Sequence, residues 1–145
     1  MDSLEILISV YPKYMDLMFD GIKNYEFRPF EFDFGDDLVA FWIHETKPVK
    51  AITGVMYVSN PISEESDGDP YGLGSEEFKS IVSSGRVAYP IKKIYKLQEP
   101  VLLKELQEEF GIKNAPQNYI KLSNYPSLQA RLHSSKLFAE MDLPL

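Results

Sequence analysis

Lys23, Glu26 and Arg28 bring two cations and a carboxylate close together in the stretch GIKNYEFR. Gly21 lets the chain reverse after a helix, and an extended segment beyond it puts Glu26 and Arg28, two residues apart, on one face. Such a cluster can hold an anion or orient a base edge. It can also poise Lys23, because neighbouring positive charge and burial lower a lysine's affinity for its proton. An ion-pair ladder on an exposed strand is the plainer alternative. Trp42 and Tyr89 each read either as a stacking platform for a nucleobase or as strand core. His44 next to Glu45 reads as an acid or base, or as a surface residue at a strand end. Gln117 and Asn118 can read a base edge or bond their own loop. Ser83 and Ser84 have no acid and histidine at a spacing that suggests a triad.

Composition narrows these choices. The 145 residues are 44% hydrophobic and 26% charged, which fits one folded domain with a genuine core. Nine tyrosines, nine phenylalanines and a tryptophan favour strands. With no cysteine, disulfides, thiolate metal sites and cysteine nucleophiles are excluded. His44 and His133 are too far apart for a local ligand pair, so no metal or cofactor is expected, although scattered carboxylates suit magnesium. The opening MDSLEILISVYPK lacks the basic start of a signal peptide, and no apolar run approaches the roughly 20 residues that span a bilayer. A cytoplasmic protein without membrane contact is expected.

A net charge of −7 argues against a broad grip on duplex DNA, since that affinity comes from Lys and Arg neutralising phosphates. The charge is uneven. Residues 62–78 hold Glu64, Glu65, Asp67, Asp69, Glu76 and Glu77, whereas 86–96 hold Arg86, Lys92, Lys93 and Lys96. This is either a basic face beside an acidic one or two solvated surfaces.

The elements that must position these residues follow from periodicity. LEILISV, residues 4–10, predicts a strand closed by Pro12. PKYMDLMFDG predicts a short helix with Tyr14, Leu17 and Met18 at helical spacing. KNYEFRPF alternates as a strand. LVAFWI (38–43) and VKAITGVMYV (49–58) predict two strands joined by HETKP, with Gly54 marking a bulge or a close approach. Residues 60–74 predict a loop, Ser75 caps a short helix, and RVAYPIKKIYKL predicts a long strand bent at Pro90. VLLKELQEEFG and YPSLQARLHS predict helices, with an extended APQNYIKL between them. The sum is an α+β chain with a small barrel of five to six mostly antiparallel strands, flanking short helices and a helical C-terminal tail. Phe41, Ile43, Ile52, Val55 and Val87 are its expected core.

ILISVYPKYMDLMFDGIKNYEFR resembles the signature of the ASCH domain, a strand, short helix and Gly-x-Lys-x-x-Glu-x-Arg turn that Gly21, Lys23, Glu26 and Arg28 match. AFWIHETKPVKAITGVMYV is similar to a second family segment through Thr46, Pro48, Lys50 and Gly54. RVAYPIKKI and APQNY resemble its later motifs. The resemblance implies a PUA-like β-barrel with a cleft that takes RNA or a modified nucleotide, in control of translation or transcription. Lys23, Glu26, Arg28, Trp42, Thr46, Lys50, Tyr89 and Gln117 are its expected ligand-binding residues. Some ASCH members hydrolyse N4-acylated cytidine with a lysine at the position of Lys23. Those enzymes have threonine where this chain has Glu26, and need a later carboxylate, for which Glu76 and Glu77 are candidates by order. The resemblance makes Lys23 and Glu26 the expected catalytic pair of a hydrolase. A Lys23–Glu26 ion pair would keep the lysine protonated, which favours binding over catalysis. A protein-interaction domain with a vestigial cleft is the third reading.

Overall fold

The structure, a computed structural model, describes residues 4–20, 25–62 and 84–142. Gly21, Lys23, the predicted loop beyond residue 62, the helix predicted from Ser75, and Glu76 and Glu77 lie outside the described residues.

Among the described residues, seven strands and three α-helices follow in the order β1 (Glu5–Val10), α1 (Pro12–Phe19), β2 (Tyr25–Arg28), β3 (Val39–Glu45), β4 (Ala51–Val58), β5 (Val87–Leu102), α2 (Leu103–Glu109), β6 (Ile120–Lys121), α3 (Pro126–His133) and β7 (Leu137–Asp142). The strands form one curled sheet in the order β2-β5-β4-β3-β1-β6, with β7 paired to β5. Of the described strand pairs only β1–β3 is parallel. Parallel neighbours need a crossover, which α1, β2 and the segment leading to β3 supply.

Both faces of the central strands are buried, so their sequence runs apolar instead of alternating. Ile6, Ile8 and Val10 of β1 join Phe41, Ile43 and Met56 in one core cluster, while Leu7 joins Trp42, Ile52 and Val55 in a second. Phe41, Ile43, Ile52 and Val55 are fully buried, and Val87 packs at the edge of the first cluster. Helix α1 buries Met15 and Met18 there; of the three residues at helical spacing Met18 is buried, Leu17 half-buried and Tyr14 exposed. The flexible methionines fill the space between helix and sheet.

Beyond α3 the described residues form a strand where the sequence predicts a helical tail. This strand, β7, is antiparallel to β5 from Lys93 to Leu97. Strand β5 is 16 residues long, but β2 covers only Val87–Pro90, so the later half has an edge to pair. Pro90, which has no N–H to give, sits where β5 passes from β2 to β4, and its carbonyl accepts from Ser59 N–H at 3.1 Å.

Gly54 is both bulge and close approach. The β4–β5 register shifts between Ile52 and Gly54, and a Cβ at 54 would stand 2.7 Å from the Met15 methyl and 2.7 Å from the Tyr95 carbonyl oxygen. The methyl can swing aside; the carbonyl belongs to the neighbouring strand. Gly54→Ala is therefore expected to lower stability by roughly 1–3 kcal/mol through overpacking. Urea denaturation of the variant beside the parent measures it, and an unchanged midpoint would contradict the close approach of the Tyr95 carbonyl of β5 to Gly54 of β4.

Candidate functional site

A curled sheet with β2 at one edge and β1 and β6 at the other leaves a seam. Strand β6 pairs with β1 only at Ile6 and Leu7, so among the described residues the edge of β1 beyond Leu7 has no strand beside it on that side. Arg28 crosses the gap, its Nη2 donating to the Ser9 carbonyl at 2.7 Å. Its Nε lies 3.3 Å from Glu26 Oε1, in ion-pair rather than hydrogen-bond geometry. Both side chains are largely shielded, at 13% and 8% exposure. The two residues share a strand face, as their spacing predicts, but the face points inward, beside Tyr89 in the register. The exposed ion-pair ladder is thereby ruled out.

Ser9 is the hub that sequence reading missed. Its hydroxyl donates to the Pro116 carbonyl at 2.7 Å, which places exposed Gln117 one residue away. Next to it, the Val10 carbonyl accepts from Thr46 N–H at 3.0 Å, and the Thr46 carbonyl accepts from Val49 and Lys50 at 3.0 and 3.4 Å. Lys50 is exposed and adopts φ 52°, left-handed backbone that a lysine rarely takes. Glu26, Arg28, Thr46, Lys50 and Gln117, from three segments, thus gather around the last two residues of β1. The single hydroxyl in the apolar run LEILISV was the only signal pointing to Ser9.

Trp42 and Tyr89 take the core alternative, which corrects the stacking reading. Trp42 is 3% exposed, in the second cluster, with its indole N–H donating to Glu5 at 2.8 Å. Tyr89 is fully buried; its hydroxyl donates to the Phe30 carbonyl at 2.8 Å and accepts from Phe32 N–H at 3.1 Å. Burial, only partly opposed by the Phe32 N–H and reinforced by Glu31 and Tyr119, pushes its pKa up to about 12. The protonated phenol clamps the segment after β2, whose Phe30 and Phe32 rings meet Tyr119 edge-on at 4.9 and 5.1 Å. No ring face of either residue is open to a base.

His44 is not on the surface. At 1% exposure it lies in β3 between Ser9 of β1 and Ile52 of β4, and neither ring nitrogen makes a hydrogen bond among the described residues. Burial lowers its pKa from 6.5, and a weaker interaction with its own backbone opposes the shift. A second polar cluster joins residues far apart in sequence. Glu5 accepts from Trp42, from Gln129 at 3.0 Å and bonds His133 Nε2 at 2.6 Å, fastening α3 to β1. A groove of about 380 Å³ is lined by Gln98, Glu99, Arg131, Ser134, Ser135 and Lys136, none of them an expected ligand residue. Among the described residues no group of acids and histidines can hold a metal ion, and no helix is long and apolar enough to cross a membrane.

No protein-family model matches the chain, and no curated protein matches it. Solved structures do. The ASCH protein of Zymomonas mobilis superposes with a TM-score of 0.68 at 20% identity, over 91% of this chain and 96% of that one. A tyrosine-to-phenylalanine mutant of that protein gives 0.66 at 20% identity, over 91% and 99%, and a serine-to-alanine mutant 0.65 at 20%, over 91% and 96%. The likeness is one of fold.

Two outcomes follow from the buried charges. Arg28→Ala strands the shielded Glu26 carboxylate and opens the seam, so stability should drop by roughly 3 kcal/mol, with Arg28→Lys restoring only part because an ammonium lacks the planar fork. Thermal and urea denaturation of both variants read this. For His44 the folded pKa lies below the unfolded one, so its effect is absent above 6.5 and stability falls as pH drops from there towards the folded value. The slope approaches about 1.4 kcal/mol per pH unit. Urea midpoints taken across that range should show this component in the parent and not in His44→Leu; parallel profiles would contradict it.

Proposed function

Proceeding from the ASCH-domain, PUA-like fold that this chain has, we propose that it binds single-stranded RNA or a modified nucleotide where the seam meets the end of β1. The observation that supports the reading most is the gathering of Arg28, Thr46, Lys50 and Gln117 around Ser9 and Val10. Arg28 is pre-set by Glu26 and the Ser9 carbonyl, so little side-chain freedom is lost when a ligand arrives. Lys50 and Gln117, both exposed, supply a cation for phosphate and an amide for a base edge. A cytoplasmic site of action accords with an RNA ligand.

Net charge again sets the form of the ligand. A chain at −7 has no broad basic surface to lay along a duplex, whereas an unpaired strand exposes base edges that a few polar groups can read. The domain therefore acts as a binding module, and hydrolysis of N4-acylated cytidine is the competing activity.

Fluorescence anisotropy with labelled oligonucleotides should give modest affinity for single-stranded RNA and weaker binding to duplex DNA. Lys23→Arg should keep much of that affinity and Lys23→Ala lose it, since a bound ligand needs the charge. Incubation with N4-acetylcytidine should release no cytidine by chromatography. Steady turnover abolished by both Lys23→Arg and Lys23→Ala would put the hydrolase first, because only a neutral amine can attack. Tight, sequence-independent duplex binding at physiological salt would falsify the binding reading.

A further inference from the structure

With Trp42 and Tyr89 buried, any stacking surface must be built from other rings. Tyr11, directly after β1, is 61% exposed, and Tyr14, in the first turn of α1, is 36% exposed. Their ring centroids lie 6.0 Å apart with planes tilted by 52°. Lys13 Nζ stands 5.0 Å from the centroid of the Tyr14 ring. The first turn of α1 carries no acid.

The Thr46–Val10 hydrogen bond brings the β3–β4 turn alongside. Tyr11 and Lys47 each follow one partner of that bond directly, and the turn folds back on the Thr46 carbonyl, so Lys47 and Lys50 both emerge beside the start of α1. Both lysines are exposed, and no acid interrupts residues 46–50. Val49, 39% exposed, and Leu102, 48% exposed and paired with Ala51, extend the apolar part of this surface. In a chain of net charge −7, two solvent-facing rings thus share a patch with three lysines.

We propose that Tyr11 and Tyr14, with Lys13, Lys47 and Lys50, form a stacking platform for two consecutive unpaired nucleotides of RNA. The inference rests on the binding reading above and extends that site from the seam onto α1. Base faces cover the tyrosine rings, which lose exposed apolar area, and the lysines neutralise the phosphate that joins the two nucleotides and those that flank it. A duplex keeps its base faces inside its own stack and gains nothing from the rings. An acidic peptide would use the lysines but leave the rings idle.

The test is anisotropy with a short labelled oligoadenylate, the same sequence in duplex form, and a polyglutamate peptide. Tyr11→Ala and Tyr14→Ala should each weaken binding of the single strand by roughly 5- to 100-fold, while Tyr11→Phe and Tyr14→Phe keep it, because stacking needs the ring and not the hydroxyl. Replacing Lys47 and Lys50 together by glutamine should flatten the slope of log affinity against log salt by about 1.4, the share of two phosphate contacts on a single strand. Equal thermal stability of the tyrosine variants confirms that only the surface has changed. Parent binding that survives both alanine variants would overturn the platform and leave the seam reading intact. Phenylalanine variants as weak as alanine, or polyglutamate bound as tightly as oligoadenylate, would overturn it too. No binding by the parent would remove the seam reading itself, and the platform with it.

Discussion

The seam between the two edges of the sheet is the constraint on which the rest of this structure depends. A fully closed barrel would satisfy every edge through backbone ladders. Here β1 continues past the reach of β6, and a side chain does the closing: the Arg28 guanidinium bonds the Ser9 carbonyl, with Glu26 beside it. Moving a guanidinium out of water is costly, and the carboxylate and carbonyl offset that cost by giving its N–H groups and its charge somewhere to go. The seam is completed in a second material, the Phe30, Phe32 and Tyr119 rings, pinned by the Tyr89 phenol.

Closing a seam with a charged fork changes what the sheet presents there. A backbone ladder would present nothing but saturated amides at that point, whereas the side-chain closure leaves a positively charged group rigidly placed at the end of β1. The same residues then bring in the surrounding segments: Ser9 holds the loop before Gln117, and Val10 holds the turn that carries Thr46 and Lys50. The contacts that close the seam and those that gather the polar side chains are therefore carried by one short stretch of β1.

Helix α1 links this chemistry to the packing of the core. Met15 and Met18 fix the helix on the sheet, and the missing side chain at Gly54 lets it lie close against β4. With that face committed, Tyr14 has to point to solvent, and Tyr11, at the junction between strand and helix, stays exposed. The exposed rings are in this sense a result of how the methionines pack.

The strands that pattern or turn signals mark were legible in the sequence. Strands β1, β3 and β4, the long β5 and the helices α1, α2 and α3 lie where apolar runs, proline and glycine put them, and the Gly-x-Lys-x-x-Glu-x-Arg turn pointed to the ASCH fold. Such features are local, so the chain carries them in consecutive residues. The sequence also correctly placed Glu26 and Arg28 on one face, because a strand's period of two does not depend on its neighbours. What that face looks at was decided by tertiary structure: pairing of β2 with β5 turns it inward, and the curl of the sheet brings Ser9 to meet it. The fate of the rings was settled in the same way. Trp42 and Tyr89 sit in strands covered on both faces while Tyr11 and Tyr14 do not, and nothing in the type of a residue says which side of a sheet will be covered. Strand β7 and the Glu5–His133 bond join residues separated by nearly the whole chain or by an edge left open elsewhere, and only the folded sheet creates those partners.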